Sequence, residues 1–182
     1  YSIASAPSSR TIELCIKRVP GGPGSQWISQ RKPGDVFRAF APYGSFLMKT
    51  PPERELVFLS TGTGVSPFRS MIHARVSDRS ATLLAGVSTP EELLYQELGR
   101  LPGVTYIPCV SQPRAGWTGY AGRITQYLRE AFPAEKILRS DFYACGNGAM
   151  IDEAKALLMG LGLPADRFVR EIYYKPKAVE RV

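Results

Sequence analysis

The hydrophobic pattern changes character along the chain. From Glu55 onward, short unbroken apolar runs alternate with segments whose apolar residues recur every three or four positions. Glu55–Ser60 (ELVFLS), Ala81–Gly86 (ATLLAG) and Val104–Val110 are runs of strand length, as expected for strands buried on both faces. Asp141–Cys145 and Arg167–Tyr173 are further strands of this set. Between them, Phe68, Met71, Ile72 and Val76 predict a helix over Ser66–Val76. Leu94, Leu98 and Leu101 predict a second, opened by the capping box Thr89-Pro90-Glu91-Glu92 with Pro at its first position. Ile124, Tyr127, Leu128, Ala131 and Phe132 mark a third; Met150, Ala154, Leu157, Leu158 and Leu161 mark a fourth. Strands alternating with helices in this way predict an α/β fold with a five-stranded parallel, doubly wound sheet.

Residues 1–53 read differently. Ile12, Leu14 and Ile16 alternate with polar neighbours, as in a half-exposed strand, and Val36–Ala41 has strand character. Gly21-Gly22-Pro23-Gly24 reads as a loop, Lys32-Pro33-Gly34-Asp35 as a turn, and Pro42-Tyr43-Gly44-Ser45 as a break. These are antiparallel β pieces, too few for a core of their own. With a chain that starts at Tyr1, they predict part of an antiparallel β-barrel domain (residues 1–53), followed by an α/β domain over residues 54–182.

Composition narrows the class. The 182 residues are 44% hydrophobic and 21% charged, which argues against disorder. No apolar run approaches the roughly 20 residues of a membrane span, and no signal segment opens the chain, so a cytoplasmic location is expected. Cys15, Cys109 and Cys145 lie far apart and His73 is the one histidine, too few ligands for a zinc or iron–sulfur site. The net charge of +7 suits anionic ligands or acidic partners. Lys and Arg form no dense run and no nucleic-acid module is visible, so nucleic acid is not expected as a partner.

Two glycine-rich turns carry the candidate chemistry. Thr61-Gly62-Thr63-Gly64-Val65-Ser66-Pro67 joins the first buried strand to its helix. Glycines allow a sharp turn and close approach to a pyrophosphate, and a helix N-terminus adds free N–H groups. No Gly-Lys-Ser/Thr follows, which disfavours ATP hydrolysis, and the third Gly of the usual dinucleotide fingerprint is missing near Pro67. Ala144-Cys145-Gly146-Asn147-Gly148-Ala149-Met150 follows the fourth strand. In open α/β sheets, ligands bind beyond the carboxyl ends of strands where strand order reverses, so the two turns together suit one extended ligand. Either turn alone also reads as an ordinary strand-to-helix connection.

Several segments, in order, resemble the ferredoxin–NADP(H) reductase superfamily. Tyr1-Ser2-Ile3-Ala4-Ser5 is similar to its flavin-binding segment, Ile12–Arg18 (with Cys15, Ile16 and Lys17) to the strand that follows, and Gly22-Pro23-Gly24-Ser25 to its pyrophosphate loop. Gly62–Ser70, Gly86–Thr89 through Leu94-Tyr95, and Cys145-Gly146 match its nicotinamide side. The similarity runs from Tyr1 to about Tyr173.

The resemblance implies an FAD-dependent NAD(P)H oxidoreductase that passes electrons to an acidic carrier such as a ferredoxin or flavodoxin, or to an oxygenase component. It implies that Tyr1 lies on the flavin ring and that Ser2 hydrogen-bonds near the reactive nitrogen. Lys17, Gly24 and Ser25 would bind cofactor phosphates; Thr61, Gly62, Thr63, Gly64 and Pro67 would border flavin and nicotinamide. Cys145, Gly146 and Met150 would flank the nicotinamide. Glu171 and Tyr173 match the closing acidic-x-aromatic segment, with Ser2, Cys145 and Glu171 nearest the chemistry. In place of the family's Ser-Arg pair stands Ser111-Gln112-Pro113-Arg114; Arg114 would reach a ribose phosphate and Tyr120 would stack on adenine. NADH and NADPH stay equally open. The family's Arg two positions before the Tyr lies outside a chain that starts at Tyr1. The rival class is a nucleotide-binding regulatory or interaction module without flavin.

Overall fold

The computed structural model describes residues 1–49, 51, 53–75 and 79–174. Val76 and the segment after Tyr174 lie outside the described residues. Six strands form one parallel sheet: β1 (Glu55–Thr61), β2 (Ala81–Val87), β3 (Val104–Val110), β4 (Tyr120–Ala121), β5 (Ser140–Asn147) and β6 (Phe168–Tyr174). Their order is β4-β3-β2-β1-β5-β6. The chain winds outward from β1 through β2 and β3, then returns to the other side of β1 with β5. The β1/β5 boundary is therefore the point where strand order reverses.

Side-chain alternation sorts the core into two faces. Val57 and Leu59 of β1 pack with Leu84, Phe142 and Ala144, under α3 (Ile124–Glu130) and α5 (Gly148–Gly160). Leu56 and Phe58 face the other way, against Phe68 and Ile72 of α2 (Ser66–Ala74) and against Tyr143. The rings of Phe58 and Phe68 lie 4.8 Å apart. Apolar burial on both faces is what the unbroken runs required.

Three expectations need correction. The sheet has six strands, not five, because Tyr120–Ala121 adds a two-residue edge strand on β3; so short a strand leaves no periodicity to read. The second helix does not form. The Thr89–Glu92 capping box closes a single 3-10 turn over Pro90–Glu92, and Tyr95 then takes a left-handed conformation (φ 55°) before another 3-10 turn at Gln96–Arg100. Leu98 is nonetheless buried, with Leu94 and Leu101 packed around it, so the apolar stripe marked burial rather than a continuous helix.

The third correction concerns the N-terminal part. Pro23–Ser29 is a short helix, α1, where a loop was expected. Val36–Ala41 is not a strand; Val36 and Phe40 are more than 90% exposed. Strand-like alternation needs a neighbouring strand to complete its hydrogen bonds, and none lies beside this segment among the described residues. Of the antiparallel barrel, what forms is the bridge between Ile3 and Leu14, reinforced by the Ala4 N–H donating to the Glu13 carbonyl (2.8 Å). Residues 46–49 attach to the α/β sheet. Phe46 packs on Phe68 and Tyr143, and the Lys49 N–H donates to the Tyr143 hydroxyl at 2.8 Å. The short helix α4 (Ala134–Ile137) leads into β5.

Candidate functional site

The two glycine-rich turns meet at the strand-order reversal. β1 ends at Thr61 and passes through a 3-10 turn, Gly62–Val65, into α2. β5 ends at Asn147, whose side chain accepts from the Ala149 N–H (2.9 Å) and caps α5. The Thr61 hydroxyl accepts from the Asn147 N–H at 2.8 Å, tying the two strand ends together. A Cβ built on Gly64 would stand 2.3 Å from the Cys145 carbonyl oxygen, and one on Gly146 (φ +124°) would stand 2.3 Å from Thr61 Oγ1. Two backbones therefore touch, with glycine on each side of the contact.

Gly62 differs. It has φ +52°, and an added Cβ would meet nothing within 4 Å. The backbone at the carboxyl end of β1 is thus open on the side where a ligand would lie, whereas Gly64 faces protein. Pro67 is buried at the start of α2, so its ring sets the helix geometry and offers no ligand surface. The Ser66 hydroxyl donates to the Thr63 carbonyl at 2.7 Å. Met150 is half-buried against the core.

A polar cluster lies beside this junction. Register places Cys145 of β5 opposite Glu171 of β6. Ser2, from the other end of the chain, donates its hydroxyl proton to the Glu171 carboxylate at 2.8 Å. The Cys145 thiol lies 3.9 Å from the same carboxylate oxygen. Burial, and then the Glu171 charge, push the Cys145 thiol well above its ordinary range, so it stays protonated. Burial, and then the neighbouring Cys145 thiol, likewise raise the Tyr173 phenol. Ser2, Cys145, Glu171 and Tyr173, far apart in sequence, therefore form one site.

Other expected residues sit apart from that cluster. Tyr1 is 71% exposed, with its hydroxyl close to Gly24. Ser25 is buried; its hydroxyl accepts from the Val19 N–H (3.0 Å) and donates to the Gly22 carbonyl (3.2 Å), so local structure occupies it. Lys17 pairs with Glu92 at 3.6 Å across exposed surface. Cys15 and Ile16 are half-buried, with Cys15 beside Tyr95. Beyond the carboxyl ends of β2 and β3, Arg114 pairs with Glu91 at 2.8 Å. Both line a cleft of about 290 Å³ with Pro90, Ala115, Gly116 and Trp117. Ser111 is exposed and held by its N–H to the Val87 carbonyl. Tyr120 donates to Glu130 at 2.6 Å and meets Tyr127 edge-on; its hydroxyl is pushed up to about 12, by burial first and the Glu130 carboxylate second.

The residues present fit a flavin and a pyridine nucleotide. Bare backbone at Gly62 stands at the strand-order reversal, and the exposed ring of Tyr1 and the 37%-exposed Tyr173 stand around Ser2. Sequence reasoning missed Glu91 as the partner of Arg114, and it missed Trp117. It also missed a link made by Arg69, whose partners Ala4 and Glu13 stand far from it in sequence. Pairing across such separations has no local signal.

Fold and site together define a dinucleotide-binding α/β domain. Residues 58–156 match the model of the oxidoreductase NAD-binding domain family. Ferredoxin–NADP reductase B of Sorangium cellulosum is 32% identical over 178 residues, covering 90% of this chain and 73% of that protein. The reductase component DmpP of phenol 2-monooxygenase from Pseudomonas sp. CF600 is 31% identical, covering 95% of this chain and 52% of that protein. Among solved structures, the ferredoxin reductase in carbazole 1,9a-dioxygenase superposes with a TM-score of 0.79 at 24% identity, covering 96% of this chain and 55% of that one. The FAD/NAD-binding domain of the Vibrio cholerae nitric oxide dioxygenase gives 0.82 at 24% identity, covering 97% and 76%. The chain belongs to the ferredoxin–NADP(H) reductase superfamily of FAD- and NAD(P)H-dependent oxidoreductases. It spans about half to three quarters of the length of these relatives. Among the described residues, no helix is long and apolar enough to cross a membrane.

The contact at Gly64 makes a prediction that needs no ligand. Gly64→Ala forces the β1 and β5 ends apart, and overpacking of this kind costs about 1–3 kcal/mol. Urea denaturation of the ligand-free protein should show that loss. A variant as stable as the parent, but deficient in nucleotide binding, would mean that Gly64 faces the ligand instead.

Proposed function

We propose that the complete protein takes hydride from NAD(P)H and hands electrons singly to a carrier protein or an oxygenase component. In this reading residues 1–53 are part of the flavin-binding β domain, and residues 54–182 are the nucleotide domain with its C-terminal extension. The observation that carries it is the meeting of Ser2, Cys145, Glu171 and Tyr173 at the carboxyl ends of β5 and β6, beside open backbone at Gly62. Such a junction of strand ends is where ligands of open α/β sheets bind. Bound there, FAD would supply the two-electron to one-electron conversion that no side chain can perform.

This chain's own residues bind and orient. Ser2 gives its proton to Glu171, which leaves the lone pairs of Ser2 Oγ for a donor on the ligand. Glu171 in turn fixes the rotamer of Ser2. Cys145 stays a neutral thiol, a small polarisable surface against the nicotinamide. Tyr1 and Tyr173 offer aromatic faces for a flat ring system. The nucleotide would run from Thr63 and Gly62 across β1, β2 and β3 to the cleft of Glu91, Arg114 and Trp117. Tyr120 would border its adenine end.

Anaerobic stopped-flow reduction of the full-length flavoprotein tests the reading. A bound yellow flavin should be reduced by NADH or NADPH. Glu171→Gln weakens a charge-assisted hydrogen bond worth about 1.5–3 kcal/mol, and should slow flavin reduction roughly tenfold to a hundredfold. Full-length protein that carries no flavin yet binds nucleotide would favour a regulatory module, a reading to which the occupied Ser25 hydroxyl and the Lys17–Glu92 pair lend support.

Nucleotide preference turns on the Glu91–Arg114 pair. Glu91 competes with a ribose phosphate for Arg114, and its carboxyl is held low by local hydrogen bonds with a smaller contribution from Arg114. Glu91→Gln should raise NADPH affinity several-fold, and Arg114→Ala should lower it by a similar factor, with NADH little changed. The pair is exposed, so larger factors are not expected. Equal effects on both nucleotides in a binding titration would remove the pair from the site.

An acidic carrier protein is the partner this surface suits. Within residues 1–40, Arg10, Lys17, Arg18, Arg31, Lys32 and Arg38 outnumber Glu13 and Asp35, and all six cations are exposed. Complementary charge raises association rates and is screened by salt. Electron transfer to an acidic ferredoxin should slow steeply across a salt series, whereas reduction of a small neutral dye should not. Parallel flat curves would point to an acceptor joined to the reductase.

A further inference from the structure

Ser2 reaches Glu171 because something holds the N-terminal segment against the sheet. At the other end of that short span, Arg69 of α2 donates from Nη1 to the Ala4 carbonyl at 2.8 Å, and the same nitrogen lies 3.1 Å from a Glu13 carboxylate oxygen. The guanidinium stacks over the Tyr95 ring, 4.9 Å from its centroid. Tyr95 closes the group by donating to the other Glu13 oxygen at 3.0 Å. The left-handed conformation of Tyr95, uncommon for a large side chain, sits at this contact. Ala4 is fully buried beneath it. Ala4 and Glu13 are also the residues whose backbones join the N-terminal pair.

These contacts complete a circuit. α2 begins at the glycine-rich turn whose Gly64 backbone rests on Cys145; Cys145 pairs in register with Glu171; Glu171 accepts from Ser2; Ser2 stands two residues from Ala4; and Ala4 returns to Arg69 on α2. An extended chain rises only about 3.3 Å per residue, so a shift at Ala4 passes to Ser2 nearly undiminished. We propose that Arg69, through Ala4, Glu13 and Tyr95, is a positioning residue that sets the approach of Ser2 to Glu171 and Cys145. It touches neither ligand nor reacting atoms. The inference rests on the reading of Ser2 and Glu171 as the cofactor-facing pair. Arginine is required because one planar group must donate in its plane and stack by its face, which a lysine ammonium does not do.

The test uses full-length flavoprotein with Arg69→Ala, Arg69→Lys and Glu13→Gln. A misplacement of about 1 Å near the chemistry costs up to a hundredfold in rate. Flavin reduction at saturating nucleotide should therefore fall roughly tenfold to a hundredfold in Arg69→Ala. Flavin content and nucleotide affinity should stay within about twofold, an orientation effect and not a loss of ground-state binding. Arg69→Lys should recover only part of the rate, and added ethylguanidinium should partly rescue Arg69→Ala. Amide hydrogen exchange supplies a readout independent of turnover: Ala4 should exchange faster in both charge variants while β1 and β5 keep their protection. Should Arg69→Ala fail to fold, Glu13→Gln carries both measurements. Unchanged exchange at Ala4, an unchanged reduction rate, or a rate loss matched by lost flavin or lost affinity would each overturn the proposal. If the parent protein is not reduced by either nucleotide, the reductase reading fails, and the exchange data still decide whether Arg69 holds the segment.

Discussion

The structure hangs on a backbone-to-backbone contact, the close approach of the Gly62–Val65 turn to the end of β5. Gly64 rests on Cys145 and Gly146, and Gly146 rests on Thr61. Such a contact has no side-chain freedom to absorb error. It fixes where β5 ends relative to β1, and through register it fixes where Cys145 and Glu171 stand. It also brings the N-terminal ends of α2 and α5 to the strand-order reversal, one on each face of the sheet. Glycine in these turns is usually explained by approach to a ligand. Here that explanation suits Gly62, which faces open space, while Gly64 and Gly146 serve the approach of protein to protein.

Much of this fold was legible because parallel strands buried on both faces leave an unambiguous trace. Val57 and Leu59 on one face, with Leu56 and Phe58 on the other, make an apolar run that solvated structure does not produce. Where the trace is shared between structures, reading went astray. Leu94, Leu98 and Leu101 keep helical spacing because they cover one patch of core, yet two 3-10 turns around a left-handed Tyr95 cover it equally well. Periodicity reports burial, and the backbone that achieves it is decided by neighbours. Val36–Ala41 shows the same limit from the other side, since alternation cannot create a strand without an adjacent edge.

The site was legible as residue types but not as partnerships. Ser2, Cys145, Glu171 and Tyr173 were all expected, and they converge. Ser25, Lys17 and Arg114 were expected to face phosphate, and each also contacts protein. Those engagements differ in strength. The buried Ser25 hydroxyl satisfies local backbone groups and cannot leave without orphaning them. Lys17 and Arg114 make exposed ion pairs, which contribute little and exchange readily for a more highly charged anion. The sequence motif thus marks groups able to meet phosphate, and burial decides which of them are free to do so.

Glu171 shows how the same reasoning reaches the chemistry. It is a half-buried carboxylate whose near neighbours are a hydroxyl and a thiol; among the described residues it makes no ion pair. A negative charge left without a cation in partly dry surroundings holds a local potential that water does not cancel. Burial first, and that charge second, keep Cys145 protonated. The Ser2 hydroxyl donates to this carboxylate. Ser2 therefore satisfies Glu171, and that hydrogen bond does not survive a displacement of the N-terminal segment. A protein whose charged centre is completed by a residue from another part of the chain must hold that part firmly. The half-buried guanidinium of Arg69, seated on Ala4, Glu13 and Tyr95 together, is placed to do so.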